Sequence, residues 1–251
     1  MDLAATDVLL ALAFFLVATL FSSVGHAGAS GYLAVMGLLG IAPAVMRPTA
    51  LALNILVSGI GTWRFARAGL FQWANFWPFA VTSIPCAFLA ATLHLPAEWY
   101  QRLVALALLI GGLQLILRAH AAADTEAQVA SPGVPVARGL LAGAAIGTLA
   151  GLTGTGGGIF LTPLLLWFGW VATRNAAAVT APFVLVNSMA GLSGQTVLLG
   201  NLPPALPLWL GAVALGGLIG TWLGTRRLSV ASLRRALGAV LLVAAAKMGL
   251  G

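Results

Sequence analysis

Charge is what this chain has least of. Of its 251 residues only 7% are charged, and the acids are Asp2, Asp7, Glu98, Asp124 and Glu126. None of them lies in the middle of an apolar run. A carboxylate proton relay at membrane depth is therefore excluded, and so is a metal site built from clustered Asp, Glu, His or Cys. The single cysteine, Cys86, lies in an apolar run and has no partner for an internal disulfide. Regular polar–apolar alternation is also missing, which excludes a transmembrane β-barrel. The start, Met1-Asp2-Leu3, lacks the basic segment of a cleaved signal peptide, so the first apolar run is expected to be retained.

What is present is apolar: 61% of the residues are hydrophobic and the mean hydropathy is +1.04. Runs of about 18 or more apolar residues mark spanning helices. The chain reads as an all-α polytopic membrane protein, multi-pass in a plasma membrane of the bacterial inner-membrane type. The net charge of +7 is not a nucleic-acid footprint, because the basic residues sit singly or in pairs at the ends of apolar runs. That is where positive-inside topology signals lie.

Ten apolar segments are predicted, at 5–23, 29–42, 45–66, 73–93, 98–117, 138–152, 157–170, 173–198, 204–224 and 231–250. The second and seventh are short, so eight to ten segments cross the membrane fully or as half-helices. Residues 118–137 form a polar linker containing Ser131-Pro132-Gly133. It divides a first membrane repeat, 1–117, from a second, 138–251. The halves share an order of features. A glycine-bearing box precedes a short segment, then come a Gly and an Arg (Gly40 and Arg47, Gly169 and Arg174), then a helix with a buried amide, Asn54 or Asn187. Loop charge inverts between the halves. Arg64 and Arg67 follow the third segment of the first half, whereas Arg226, Arg227, Arg234 and Arg235 follow the fourth segment of the second. This predicts two inverted-topology repeats, with the linker, Arg118 and Arg138 in the cytoplasm and both termini outside. Inverted repeats with short, glycine-broken segments in matching positions point to a transport site near the midplane.

The most pronounced break is Gly151-Leu152-Thr153-Gly154-Thr155-Gly156-Gly157-Gly158, followed by Ile159-Phe160-Leu161-Thr162-Pro163. Its five glycines in eight residues disfavour a continuous helix. Irregular backbone at membrane depth survives only where protein buries it or a cavity needs it. The box, with its G-x-G-G-G core and following proline, resembles the second-half signature of the TauE/SafE family of sulfite-exporter-like transporters. Gly25-His26-Ala27-Gly28-Ala29-Ser30-Gly31 resembles that family's degenerate first copy, with His26, Ala29 and Ser30 departing from it. The resemblance implies transport of sulfur-containing oxyanions such as sulfite or organosulfonates.

The residues have matching chemistry. Glycine lets successive N–H groups converge on an anion, and a half-helix starting there adds its positive end. His26, Gly28, Ala29, Ser30 and Gly31 of the first box, with Thr155, Gly156, Gly157 and Gly158 of the second, are the backbone candidates. Close helix packing is the competing role for these small residues. Asn54 and Asn187 are buried amides that need partners, from another helix or from substrate. Arg47 and Arg174 suit bidentate oxyanion binding or anchoring near a helix end. His26 suits a coupled proton or a hydrogen bond to the anion. Ser58, Ser188, Thr49, Thr180 and Gln195 are weaker candidates. No cofactor or enzymatic activity is expected. The expected partners are a small anionic substrate and the lipid bilayer, with a homodimer left open.

Two other functions compete. A small-carboxylate or amino-acid exporter uses the same helix-end chemistry. A rhomboid-like serine protease is suggested by Gly28-Ala29-Ser30-Gly31, but no well-placed His accompanies Ser30: His94 is at a loop and His120 in the linker. Topology is directly testable. With Ser131→Cys in a Cys86→Ser background, an impermeant maleimide is expected to label the linker only once the cytoplasmic face is opened. Labelling in intact cells would invert the assignment.

Overall fold

The computed structural model describes residues 3–23, 27–93, 95–121, 133–195, 200–225 and 230–250. Ten helices follow one another: α1 (Leu3–Ser23), α2 (Ala29–Leu38), α3 (Pro43–Arg67), α4 (Trp73–Thr92), α5 (Ala97–Ala121), α6 (Val136–Thr153), α7 (Gly158–Trp167), α8 (Thr173–Ser193), α9 (Leu206–Thr225) and α10 (Val230–Leu250). Among the described residues there is no strand. Seven helices are long and apolar enough to cross a membrane: α1, α3, α4, α5, α6, α8 and α9.

The two expected short segments are helices of 10 residues each, α2 and α7. Both are shorter than the apolar runs that contain them, because a glycine turn ends each one. Gly40 and Gly169 adopt positive φ (70° and 61°), and the next residue folds back: Ile41 N–H donates to Met36 O and Trp170 N–H to Leu165 O. This is the usual glycine stop, which uses up the last free carbonyls of a helix. At about 1.5 Å per residue, ten residues reach only halfway through a bilayer core.

The two halves interlock. Gly139, Gly143, Gly147 and Gly151 recur every fourth residue along α6 and face α4, the first against the Pro78 side chain and the other three against backbone. A Cβ on Gly147 would sit 2.4 Å from Ser83 O, and one on Gly151 2.3 Å from Ala87 O. On α9, Gly216 and Gly220 press in the same way on Phe15 and Thr19 of α1. Lipid offers no hydrophobic drive between apolar helices, so such close backbone approach is what binds them. The Thr82 hydroxyl donates to Leu140 O at 2.7 Å, and Trp209 Nε1 donates to Asp7 O at 3.1 Å.

Contact order gives direction. Residues 139 to 151 of α6 meet 78 to 87 of α4 in rising order, so that pair runs parallel, as do α1 and α9. The α3 contacts Leu51–Gly191, Asn54–Ser188 and Gly61–Ala181 fall in opposite order, so α3 and α8 run antiparallel. So do α5 and α10, through Gly112–Leu242 and Ala105–Gly249. Exchanging α1–α5 with α6–α10 maps α4·α6 onto α9·α1, α4·α8 onto α9·α3 and α2·α10 onto α7·α5, all of which pack together.

This arrangement gives the bundle a linker side and a termini side. Arg64 and Arg67 end α3 on the linker side, joined there by the start of α6 with Arg138 and by Arg235 at the start of α10. Arg102 and Lys247 lie on the termini side. The outer surface carries exposed leucines such as Leu12, Leu16, Leu106, Leu113 and Leu215, with Trp63, Trp73, Trp99 and Trp167 at helix ends. That is the distribution of a lipid-facing belt with interfacial tryptophans.

The glycine stripe on α6 is the weakest point for added volume. Gly147→Leu is expected to destabilise the protein by about 1–3 kcal/mol or more, seen as a lower melting temperature in detergent. Gly211→Ala on α9, where a Cβ meets nothing within 4 Å, is expected to leave melting unchanged.

Candidate functional site

The site is built where α3 and α8 cross. α6 ends at Thr153, and three glycines of positive φ then reverse the chain: Gly154 (80°), Gly156 (68°) and Gly157 (83°). Residues with a side chain rarely take such angles, so the glycine box is dictated by its backbone path. Gly157 is the N-cap of α7, and no side chain caps that helix. The first box ends in the same way. Gly28 (φ 94°) is the N-cap of α2, again without a side-chain cap. Neither half-helix N-terminus carries a side-chain cap.

The second box is wedged against the crossing. A Cβ on Gly156 would lie 2.8 Å from both Asn54 Nδ2 and Ser188 Oγ, and one on Gly157 2.9 Å from Phe183. Asn54 Nδ2 donates long hydrogen bonds to Thr155 O (3.4 Å) and Ser188 Oγ (3.5 Å). Ser58, one turn further along α3, donates to Asn54 O at 2.5 Å. Asn187 Nδ2 donates within α8 to Phe183 O at 2.8 Å. The amide oxygens of Asn54 and Asn187 accept no hydrogen bond, although both residues are fully buried. An unmet buried amide group costs about 1–3 kcal/mol.

Local bonds hold the box itself. The Thr153 hydroxyl donates to Leu149 O at 2.7 Å and lies 2.9 Å from the Thr155 hydroxyl. Tyr100 of α5 donates to Thr153 O at 3.1 Å. Tyr100 and Thr153 were not among the residues singled out in the sequence. A tyrosine three residues into an apolar span, whose hydroxyl must find a partner, is the signal that marks the first of them.

Arg47 has an unexpected place. It is 4% exposed. Its Nη1 donates to Leu93 O at 3.3 Å, and its Nη2 donates to Ala90 O at 3.2 Å and to Gly151 O. These carbonyls belong to the final turns of α4 and α6, so one guanidinium closes two helix C-termini, where positive charge is favoured. Its bonding partners are carbonyls, and its Nε has none. This arginine is buried beside the box, with its Cγ 3.1 Å from where a Gly154 Cβ would be.

The remaining candidates separate. Ala29, Ser30 and Gly31 are buried in the first turn of α2, and the Ser30 hydroxyl has no partner. Gly28 and Gly31 are packed against Tyr32 and against Val17 and Phe21 respectively. Thr180 pairs with Thr162 at 3.0 Å, away from the two amides. Gly158 begins α7 against Val184. Arg174 lies in the first turn of α8, with its side chain outside the described residues, and His26 lies outside them altogether. Among the described residues no group of three or more His, Cys, Asp or Glu comes together.

A long helical bundle carrying two uncapped, glycine-led half-helices invites comparison with known transporters. The family model of the sulfite exporter TauE/SafE matches residues 10–248. The chain belongs to the TauE/SafE family. A protein named probable membrane transporter protein y4hK, from Sinorhizobium fredii (strain NBRC 101917 / NGR234), is 42% identical over 241 residues, covering 95% of this chain and 96% of that one. No solved structure matches. Like the rest of the TauE/SafE family, the protein is a membrane transporter.

The Arg47 clamp makes its own prediction. Arg47→Gln strands carbonyls at the ends of α4 and α6, and is expected to cost on the order of 3 kcal/mol. Hydrogen exchange should rise at the amides of residues 151–158. Arg47→Lys should restore part of the melting temperature. Arg67→Gln, which removes only a stacking contact on Trp63, should change little.

Proposed function

We propose that the protein exports small sulfur-containing oxyanions, sulfite or organosulfonates, across the plasma membrane. The anion binds near the midplane, at the α3–α8 crossing, between the glycine-led N-termini of α2 and α7. The observation that carries this reading is the junction at Gly156. A tightly packed glycine turn meets Asn54 and Ser188 there, deep in the bundle and at the start of an uncapped half-helix. Such ends favour anions through both free N–H groups and the helix dipole. The first box approaches α3 one turn away, where Ala27 and Ser58 line a common cavity.

The two halves act as inverted repeats, which the antiparallel course of α3 against α8 and of α5 against α10 supports. The linker side is the cytoplasmic one, in line with Arg64, Arg67, Arg138 and Arg235 at its helix ends. Export needs no coupling ion. An inside-negative potential drives each unit of negative charge outward with about 2.3 kcal/mol per 100 mV. Direct ligation by Arg47 would use its unpartnered Nε, because its other nitrogens already serve carbonyls.

Thermal melting of the purified protein tests the reading, using sulfite, sulfate, taurine, sulfoacetate and small carboxylates. Sulfite or a sulfonate is expected to raise the melting temperature. Gly156→Val, which needs both a positive φ and space occupied by Asn54, should abolish the rise. Stabilisation by amino acids or carboxylates alone would move the protein to the rival class of exporter.

A further inference from the structure

A second polar place lies between the crossing and the linker side. It is a small cavity, bordered by α1, the first box, α3, α8 and α9. Ser22, Ala27, Ser58, Gly61, Phe65 and Thr221 line it. Its volume is about that of one water. The lining contains hydroxyls and no carboxylate.

Ser22 is the unusual member. It is 5% exposed, and its hydroxyl has no hydrogen-bond partner. Most serines in such helices return their hydroxyl to a carbonyl three or four residues back. Ser58, Thr19 and Thr221 all do so, and Ser22 does not. An orphaned buried hydroxyl is a cost without a structural return. Thr221 sits opposite, where Arg64 Nη1 donates to its hydroxyl and, at 3.3 Å, to Leu218 O. Arg64 thus ties the last turn of α3 to the second half of α9, beside the cavity that Thr221 lines. Both of its acceptors are neutral oxygens, the kind of partner that a charged oxyanion displaces, since it adds the Coulomb attraction of an ion pair to the hydrogen bond.

We propose that this cavity is a cytoplasmic-side binding site for the oxyanion, distinct from the crossing, with Ser22 and Arg64 as its donors and the Arg64–Thr221 bond as its closure. The inference rests on the export reading above. In the structure the bond is made and the space fits a water. An arriving anion exchanges Thr221 Oγ1 and Leu218 O for its own oxygens on Arg64, which frees α9 from α3 and opens the cavity. Ser22 then donates to the anion. Ser58, already bonded to Asn54 O, leads it one turn inward to the crossing.

Ser22→Ala separates this role from packing, because removing an orphaned hydroxyl should not harm the fold. Its melting temperature without anion is expected to equal the wild type's or to exceed it by about 2–4 °C. The half-saturating sulfite concentration for transport from the linker side of proteoliposomes is expected to rise about tenfold, the loss of one hydrogen bond to an ion. The melting rise at saturating sulfite should persist, since the crossing is intact. Arg64→Gln should weaken half-saturation at least as much, and Arg64→Lys should recover part of it. A sulfite dependence for Ser22→Ala that overlays the wild type's would overturn the proposal. If the wild-type protein neither transports sulfite nor is stabilised by it, the export reading falls as well, a failure visible before any variant is compared.

Discussion

Backbone that leaves the helix inside a bilayer has no water to turn to. Residues 154–157 do so between α6 and α7, and much of the surrounding chemistry follows from that break. Tyr100 reaches from α5 to Thr153 O, Asn54 from α3 to Thr155 O, and Arg47 from α3 to Gly151 O. Three side chains from two other helices thus serve carbonyls of one short stretch. Carbonyl acceptors are met in this way, while the N–H groups at the head of α7 receive no side-chain cap. On the export reading, that difference leaves the head of α7 open to an anion.

The helix packing serves the same break. Close approach of α6 to α4 along the glycine stripe fixes where α6 ends, and so where the box begins. The Arg47 clamp joins the final turns of those two helices. Sulfur-containing oxyanions are compact and strongly hydrated, so a site that strips their water must supply replacement donors at fixed distance. On the export reading, donors carried by a turn locked between two packed helices meet that demand better than donors on a mobile loop.

Much of this was legible in the sequence, for reasons that can be named. The ten segments follow from apolar length, and the half-helices from glycines that stop them at Gly40 and Gly169. Asn54 was marked by its cost, a buried amide in an apolar span, and it touches the second box as that cost requires. The glycine periodicity of α6 is visible as 139, 143, 147 and 151, but its partner is not, because spacing on one helix says nothing about which backbone lies opposite. The place of Arg47 was not legible for a related reason. A lone arginine near a helix start usually marks the interface, and only the three-dimensional meeting of α4 and α6 shows carbonyls waiting for it. Ser22 carried no signal, since what distinguishes it is a bond it does not make.

The charge inventory ties these elements to direction. Arg47 is neutralised by no carboxylate bond; its compensation comes from carbonyl dipoles at two helix ends. Each helix end is worth roughly half an elementary charge, so two of them about balance one guanidinium locally and leave little net field at the box. The half-helix N-termini are not balanced in that way. On the export reading an anion at the crossing therefore feels attraction from α2 and α7, without a fixed cation deep enough to trap it. A bare arginine at the same depth would bind more tightly and release more slowly. An exporter that works with the membrane potential gains nothing from such a trap, and an Arg47 occupied by carbonyls suits turnover better than one free to hold its cargo.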